Sequence, residues 1–223
     1  MMPRMVKELY VRQLALGPMK NFVYLAGAKG AKEVCVIDPA WDVAAILSAA
    51  EEDGKTVVSA FLSHHHGDHI NGVHELLKQR DVPVYVQRVE AQGSEVIRAF
   101  GESVKPIGPG ERIDVGPMSV TCILTPGHTA GSQCLLCEDA LVSGDTVFVN
   151  ACGRCDFTGG SPEQMFDSLH RVLGALPSTT ALYPGHDYGD VKVSSLERER
   201  RTNPYFQLHE LRAFVDYRTR PRT

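Results

Sequence analysis

Apolar and polar positions along the 223-residue chain alternate with two periods, one near two residues and one near 3.6. Residues 21–40, NFVYLAGAKGAKEVCVIDPA, read as two strands joined at a Gly/Lys turn. Val23, Leu25, Val34, Val36 and Asp38 mark the alternation, and Pro39 stops the second strand. Residues 42–53 carry Val43, Ile46, Leu47 and Ala50 at helical spacing, and Gly54 ends that run. TVVSAFLS follows as an apolar strand of the buried type. Val73, Leu76 and Leu77 then face one way on a short helix, VPVYV is another strand, and a third helix covers VEAQGSEVIRAF.

Strand patterning returns in MSVTCILT, SQCLLCED and ALVSGD. A helix from Glu163 to Leu173 places Met165, Phe166, Leu169 and Val172 at helical spacing, with Ser161 as its cap and Pro162 in the first turn. TTALYPG is the last strand, and from about residue 195 the tail reads as helical with an interruption near Pro204. Hairpins interleaved with strand–helix units exclude an all-parallel doubly wound sheet. The pattern predicts an α/β architecture of two mixed sheets with helices outside. No long linker or low-complexity tract interrupts it, so residues 1–223 are expected to form one domain.

Composition narrows the function classes. With 27 acidic against 23 basic side chains, a net charge of −4 argues against nucleic acid or an acidic membrane surface as partner. No apolar run is long enough to span a bilayer, and the start MMPRMVKELY shows no export leader, which makes the cytoplasm the expected location. Six cysteines include two C-x-x-C spacings, Cys134/Cys137 and Cys152/Cys155. The first pair falls on a strand, which turns the two thiols to opposite faces. The second sits in the loop ACGRCDF, and a four-thiolate zinc site would need all four to converge. Buried, reduced thiols are the simpler expectation.

The decisive segment is SHHHGDH at the end of an apolar strand: His64, His65, His66, Asp68 and His69. Neutral imidazole and carboxylate are ordinary ligands for Zn²⁺ and Fe²⁺, and His64 and His66, two apart in extended chain, can turn to the same side. Three more candidates each follow an apolar strand: His128 in LTPGHTAGS, Asp145 in LVSGDTVF and His186 in LYPGHDYGD. Gly127 and Gly185 precede two of them, giving tight turns that aim the imidazole inward. Together these residues suffice for two adjacent divalent metals bridged by one carboxylate, able to generate hydroxide and stabilise an oxyanion. Zn²⁺, Fe²⁺ and Mn²⁺ can all use such ligands.

The run His64-His65-His66-Gly67-Asp68-His69 resembles the H-x-H-x-D-H hallmark of the metallo-β-lactamase superfamily. The resemblance implies an αββα sandwich with a metal site at one edge of the two sheets. By motif matching, His64, His66 and His128 would hold one metal, Asp68, His69 and His186 the other, and Asp145 would bridge. Asp145 stands where true β-lactamases often have cysteine. GPMKNFVYLAG and SHHHGDHING are similar to glyoxalase II enzymes, which hydrolyse S-acylglutathione. GRCDFTGGSP, YPGHDYG and ERERRTNPYF are similar to persulfide dioxygenases. That second branch typically has alanine where Gly67 stands and YPAHDY for YPGHDY. Larger glyoxalase II proteins carry a C-terminal helical extension that contacts glutathione, and this sequence is not expected to supply it.

What this resemblance implies is hydrolysis of a small thioester, most like S-2-hydroxyacylglutathione, by metal-activated hydroxide that Asp68 orients, with Zn²⁺ the first metal expected. The alternative is an iron-dependent persulfide dioxygenase oxidising glutathione persulfide to sulfite. There only His64, His128 and Asp145 would hold the iron. Arg154 and Tyr188 match substrate-contacting positions of glyoxalase II; an ion pair with Asp156 and plain packing are the competing readings. From Glu197 onward seven arginines face four acidic residues, and Arg198, Arg200 and Arg201 read as a solvated helix face, with attraction of a carboxylated substrate as the competing reading. Trp41 reads as a packing residue over the first hairpin. Asp187, beside His186, is left out of the ligand set.

Overall fold

The computed structural model describes residues 8–220; the start of the chain, on which the leader reading rests, lies outside them. Two six-stranded sheets face each other. The first contains β1 (Leu9–Leu16), β2 (Asn21–Ala28), β3 (Glu33–Ile37), β4 (Thr56–Phe61), β5 (Val84–Gln87) and β6 (Val104–Ile107), in that spatial order. β1 to β3 pair antiparallel, and β3 to β6 pair parallel. Their crossovers are α1 (Val43–Glu52), then the turns α2 (Gly67–Ile70) and α3 (Val73–Gln79), then α4 (Arg88–Gly93) and α5 (Glu95–Arg98).

The second sheet begins with an antiparallel meander of β7 (Arg112–Val115), β8 (Met118–Leu124), β9 (Gln133–Cys137) and β10 (Ala140–Gly144). A small ribbon, β11 (Val147–Phe148) with β12 (Ala151–Cys152), projects from its end. α6 (Pro162–Asp167) continues as a wider turn and a 3-10 turn to Ala175. β13 (Ala181–Pro184) then pairs parallel to β10, and β14 (Ser194–Ser195) closes the edge. The tail forms α7 (Leu196–Thr202), α8 (Pro204–Gln207) and α9 (Leu211–Thr219).

Period-two burial explains the layers. Phe22, Tyr24, Cys35, Ile37 and Phe61 face Met118, Val120, Leu135 and Val142 between the sheets. The alternate residues Val23, Leu25 and Val36 meet Ile46, Leu47 and Leu76 from the helices of the first sheet. Met165, Leu169 and Phe214 cover the second sheet at Cys134, Leu141 and Leu182. Each fully buried aliphatic or aromatic side chain contributes about 2 kcal/mol of transfer free energy. Cys134 and Cys137 do point to opposite faces of β9, and all six thiols are buried outside any disulfide.

The caps follow the sequence. Asp42 accepts from Ala45 N at 2.9 Å, and Ser161 from Gln164 N at 3.2 Å ahead of Pro162. The single helix expected over 89–100 is instead two, because Ser94 is extended and its hydroxyl accepts from Ile97 N to start a new turn. Among the described residues, no helix is long and apolar enough to cross a membrane.

Candidate metal centre

Strand ends of both sheets meet at one rim of the sandwich. The chain leaving β4 supplies His64 and His66, and α2 supplies Asp68 and His69. The loops after β8, β10 and β13 supply His128, Asp145 and His186. Their ligand atoms fall into three overlapping groups, each within 4.8 Å: His64, His66 and His128; His64, His69 and Asp145; Asp68, His69 and His186. All seven sequence candidates are therefore brought together. His65 turns away, its Nδ1 2.5 Å from the buried carboxylate of Glu90.

The two glycines serve these loops for different reasons. Gly127 has φ of 142°, and a Cβ there would come 2.5 Å from Met165 Cα. Gly185 lacks such a backbone angle; a Cβ there would sit 2.6 Å from Asp145 Oδ1. Close approach, not a special turn, requires the second glycine.

The backs of the imidazoles fix which nitrogen faces inward. His128 Nδ1 lies 2.7 Å from Arg154 O, and His186 Nδ1 2.9 Å from Met19 O. A carbonyl only accepts, so both Nδ1 atoms carry the proton and both Nε2 atoms present lone pairs. His69 Nδ1 donates to Asp38 Oδ2 at 2.9 Å. Ser63 gives its backbone N–H and hydroxyl to Asp38, each at 2.6 Å, which leaves its oxygen to accept from His64 Nδ1 at 3.0 Å. Asp38 thus supports two inward-facing imidazoles, the arrangement that orients metal-bound histidines.

Inside the rim, His66 Nδ1 is 3.0 Å from His64 Nε2 and 2.9 Å from His128 Nε2. His69 Nε2 and His186 Nε2 are 3.1 Å apart and lie 3.5 and 3.4 Å from Asp68 Oδ2. Asp145 lies between, with Oδ1 3.3 Å from His69 and 3.4 Å from His186, and Oδ2 3.4 Å from His128. Four donors around Zn²⁺ at tetrahedral angles are about 3.3 Å apart. Asp145 Oδ1 is buried without a hydrogen-bond partner, and paired lone pairs face one another at contact distance. Cations satisfy both conditions, so the residues fit two His/Asp metal clusters.

Electrostatics differs across the rim. Burial pushes His64 well below its ordinary value, takes His66 down to about 4 and lowers His128. Those imidazoles are kept neutral, the ligating form. Burial also opposes a charge on His69, but Asp145 and Asp38 outweigh it and hold the ring well above its usual value. Asp145 stays well below the usual carboxylate range, because His69 and His186 overcome its burial.

Sequence reasoning missed the supports. Asn21 donates from Nδ2 to Asp68 Oδ2 at 2.9 Å and accepts at Oδ1 from Trp41 Nε1 at 2.9 Å, so Trp41 both packs and positions. Glu90 receives His65 N and Thr129 Oγ1, tying the His64–His66 segment to the His128 loop. A carboxylate ending an apolar strand, as Asp38 does after VCVI, was the available signal.

A cavity of about 450 Å³ opens on the cluster, walled by Met19, Phe148, Phe157 and Tyr188 with Arg154 at its side. Arg154 is bidentate to Asp156 at 2.9 and 2.7 Å and lies 4.6 Å over the Phe157 ring. Tyr188 stacks on His186 at 4.6 Å and remains half exposed. Farther away, Arg198 pairs with Asp190, and Arg200 donates to the Leu173 and Leu176 carbonyls. These two serve the tail's own structure.

Comparison with known proteins gives consistent results. A family model described as the metallo-beta-lactamase superfamily matches residues 16–186. The chain is 32% identical to a probable polyketide biosynthesis zinc-dependent hydrolase, PksB, of Bacillus subtilis, over 90% of this chain and 88% of that protein. It is 36% identical to a hydroxyacylglutathione hydrolase of Alkalilimnicola ehrlichii, over 82% of this chain and 68% of the relative. The crystal structure of ETHE1 from Myxococcus xanthus superposes with a TM-score of 0.85 at 31% identity, covering 96% and 92% of the two chains.

Proposed function

The chain belongs to the metallo-beta-lactamase superfamily, and from that premise we propose that this metal-dependent enzyme hydrolyses small acyl thioesters, with S-2-hydroxyacylglutathione as the reference substrate. The carrying observation is Asp145, whose two oxygens face different halves of the cluster, Oδ1 toward His69 and His186 and Oδ2 toward His128. In this reading His64, His66 and His128 hold one divalent cation, Asp68, His69 and His186 the other, and Asp145 both. Two such cations supply a nucleophilic water at neutral pH and stabilise negative charge on the carbonyl oxygen.

The chain's own residues do the rest. Asp68, partly open to the cavity and clamped by Asn21, accepts a hydrogen bond from the attacking water and aims it. Neutral His64, His66 and His128 offer lone pairs without a proton to displace. A thiol leaving group has a pKa of about 8.5, so it departs as thiolate without a general acid. The cytoplasmic setting expected from the sequence suits six cysteines outside any disulfide. Hydrolysis of thioesters agrees with the names of the two relatives, both hydrolases. Persulfide oxidation at one iron on His64, His128 and Asp145 would leave four converging ligands unused.

Anaerobically purified protein, loaded with zinc or with iron, decides between them. The expected result is two metal equivalents and cleavage of S-lactoylglutathione or a simpler thioester without oxygen. Stoichiometric oxygen uptake and sulfite formation from glutathione persulfide, with no thioester cleaved by either form, would overturn this reading.

A further inference from the structure

Arg154 and Phe157 share one wall of the cavity beside the metal-ligating rim. Beyond the metal-ligating rim, the cavity is faced by Met19, Phe148, Phe157 and Tyr188, and among the described residues Arg154 is the only arginine or lysine lining it. Met19, Phe157 and Tyr188 are also 48%, 39% and 53% exposed, so three large apolar side chains stand open to water around one mouth. Exposed apolar groups gathered at a cavity, rather than scattered, mark a surface that a ligand covers.

Arg154 is already engaged. One edge of its fork, Nε and Nη2, reaches Asp156, and its guanidinium carbon lies over the Phe157 ring, which in turn packs on His66 and His128. The guanidinium therefore presents a neutralised pair and a hydrocarbon stem to the cavity. Glutathione carries two carboxylates and an ammonium. Placing those charges against this wall would strip part of their water, and Arg154, its charge already balanced by Asp156, would return little attraction.

We infer that the cavity selects thioesters whose thiol arm is uncharged, an extended amide-bearing chain of the cysteamine type, over thioesters of a charged tripeptide. This inference rests on the thioester reading and names its substrate class. Phe157 and Tyr188 supply apolar contact along the arm, and Asp156 acts as a specificity-determining residue by occupying Arg154.

The test uses two substrates with the same acyl group, S-butyryl-N-acetylcysteamine and S-butyrylglutathione, with zinc-loaded protein. Calorimetric titration with the corresponding S-butyl thioethers, which cannot be hydrolysed, reads binding separately. The expected kcat/KM is at least about tenfold higher for the cysteamine thioester, carried mostly by KM, and thioether affinities follow the same order. Asp156→Asn releases Arg154 and narrows that ratio by about fivefold or more, through gain on the glutathione side. Equal or reversed preference in the unmodified protein, or an Asp156→Asn ratio that does not move, overturns the inference. Failure to cleave either thioester, or S-lactoylglutathione assayed beside them, refutes the hydrolase reading instead. The thioether titrations then decide the arm alone: preference for the uncharged arm upholds its selection, and equal or reversed affinity overturns it.

Discussion

The two halves of the metal rim use nearly the same ligand chemistry on opposite electrostatic backing. His64, His66 and His128 are kept neutral by burial, and the outer nitrogens of His64 and His128 rest on a hydroxyl and a backbone carbonyl. His69 sits between Asp38 and Asp145, with Asp68 beside it, so its half holds charge even as a bare protein site. Neutral donors leave a dication's charge uncompensated, whereas carboxylates offset it. The difference teaches which half depends on the bridge: the imidazole half has only Asp145 to balance its cation, and the other half has Asp68 and, one residue further out, Asp38.

The largest test removes the shared charge. Asp145→Asn should release metal from both halves, first from the imidazole half, and lower turnover by about a thousandfold, equivalent to about 4 kcal/mol of barrier. Metal content and steady-state kinetics on one preparation check this; full metal with near-normal turnover would remove Asp145 from the bridge. Asp38→Asn is smaller and falls mainly on one half, because Asp38 meets His69 directly and His64 only through Ser63. Losing the carboxylate behind His69 should weaken the cation of that half by about 10- to 100-fold. Chelator titration followed by metal analysis should then show one equivalent lost early and one retained. Simultaneous loss of both would erase the distinction between the halves.

The smallest effect is on the pH dependence of stability in metal-free protein. His66 stays neutral in the folded state down to about pH 4, while the unfolded chain protonates near 6.5. Between those values the unfolded state binds more protons, so stability falls as pH drops through that window. His69 is shifted the other way. Its contribution is complete below 6.5 and is lost as pH rises through its raised folded value. The thermal midpoint of metal-free protein should therefore peak near pH 6.5, and His69→Gln should flatten the alkaline slope while leaving the acid slope. A profile that climbs steadily through pH 8 would contradict the opposed backing.

The ligands were legible because they cluster in sequence or follow apolar strands, and both signals survive without knowing which strands pair. Asp38, Asn21 and Glu90 were not, because their roles depend on register. Asp38 reaches Ser63 only since β3 and β4 run parallel with Ile37 beside Phe61, and that pairing is invisible in the chain itself. The strands of the two large sheets that hydropathy overlooked are equally specific: β1, β6, β7 and β14 are their four edges. An edge strand is wetted on one flank, so LYVRQLAL, VKPI and RIDV dilute the apolar run that revealed β2 and β4. Arg154 illustrates the remaining gap. Its position matched a substrate contact, but only the fold shows its charge held by Asp156.

Those same edges govern how the molecule behaves in a crowd. β6 presents Lys105 and Pro106 to solvent, and proline offers no N–H to a visiting strand. β7 exposes Arg112 and Asp114, β14 is two residues long, and β1 carries Arg12 clamped to Glu52 and Asp53. Every border of the sandwich is thus short, charged or missing a donor. Fibril-like stacking by strand addition finds no smooth template at any of them, even though the strands just inside are apolar enough to aggregate if laid bare.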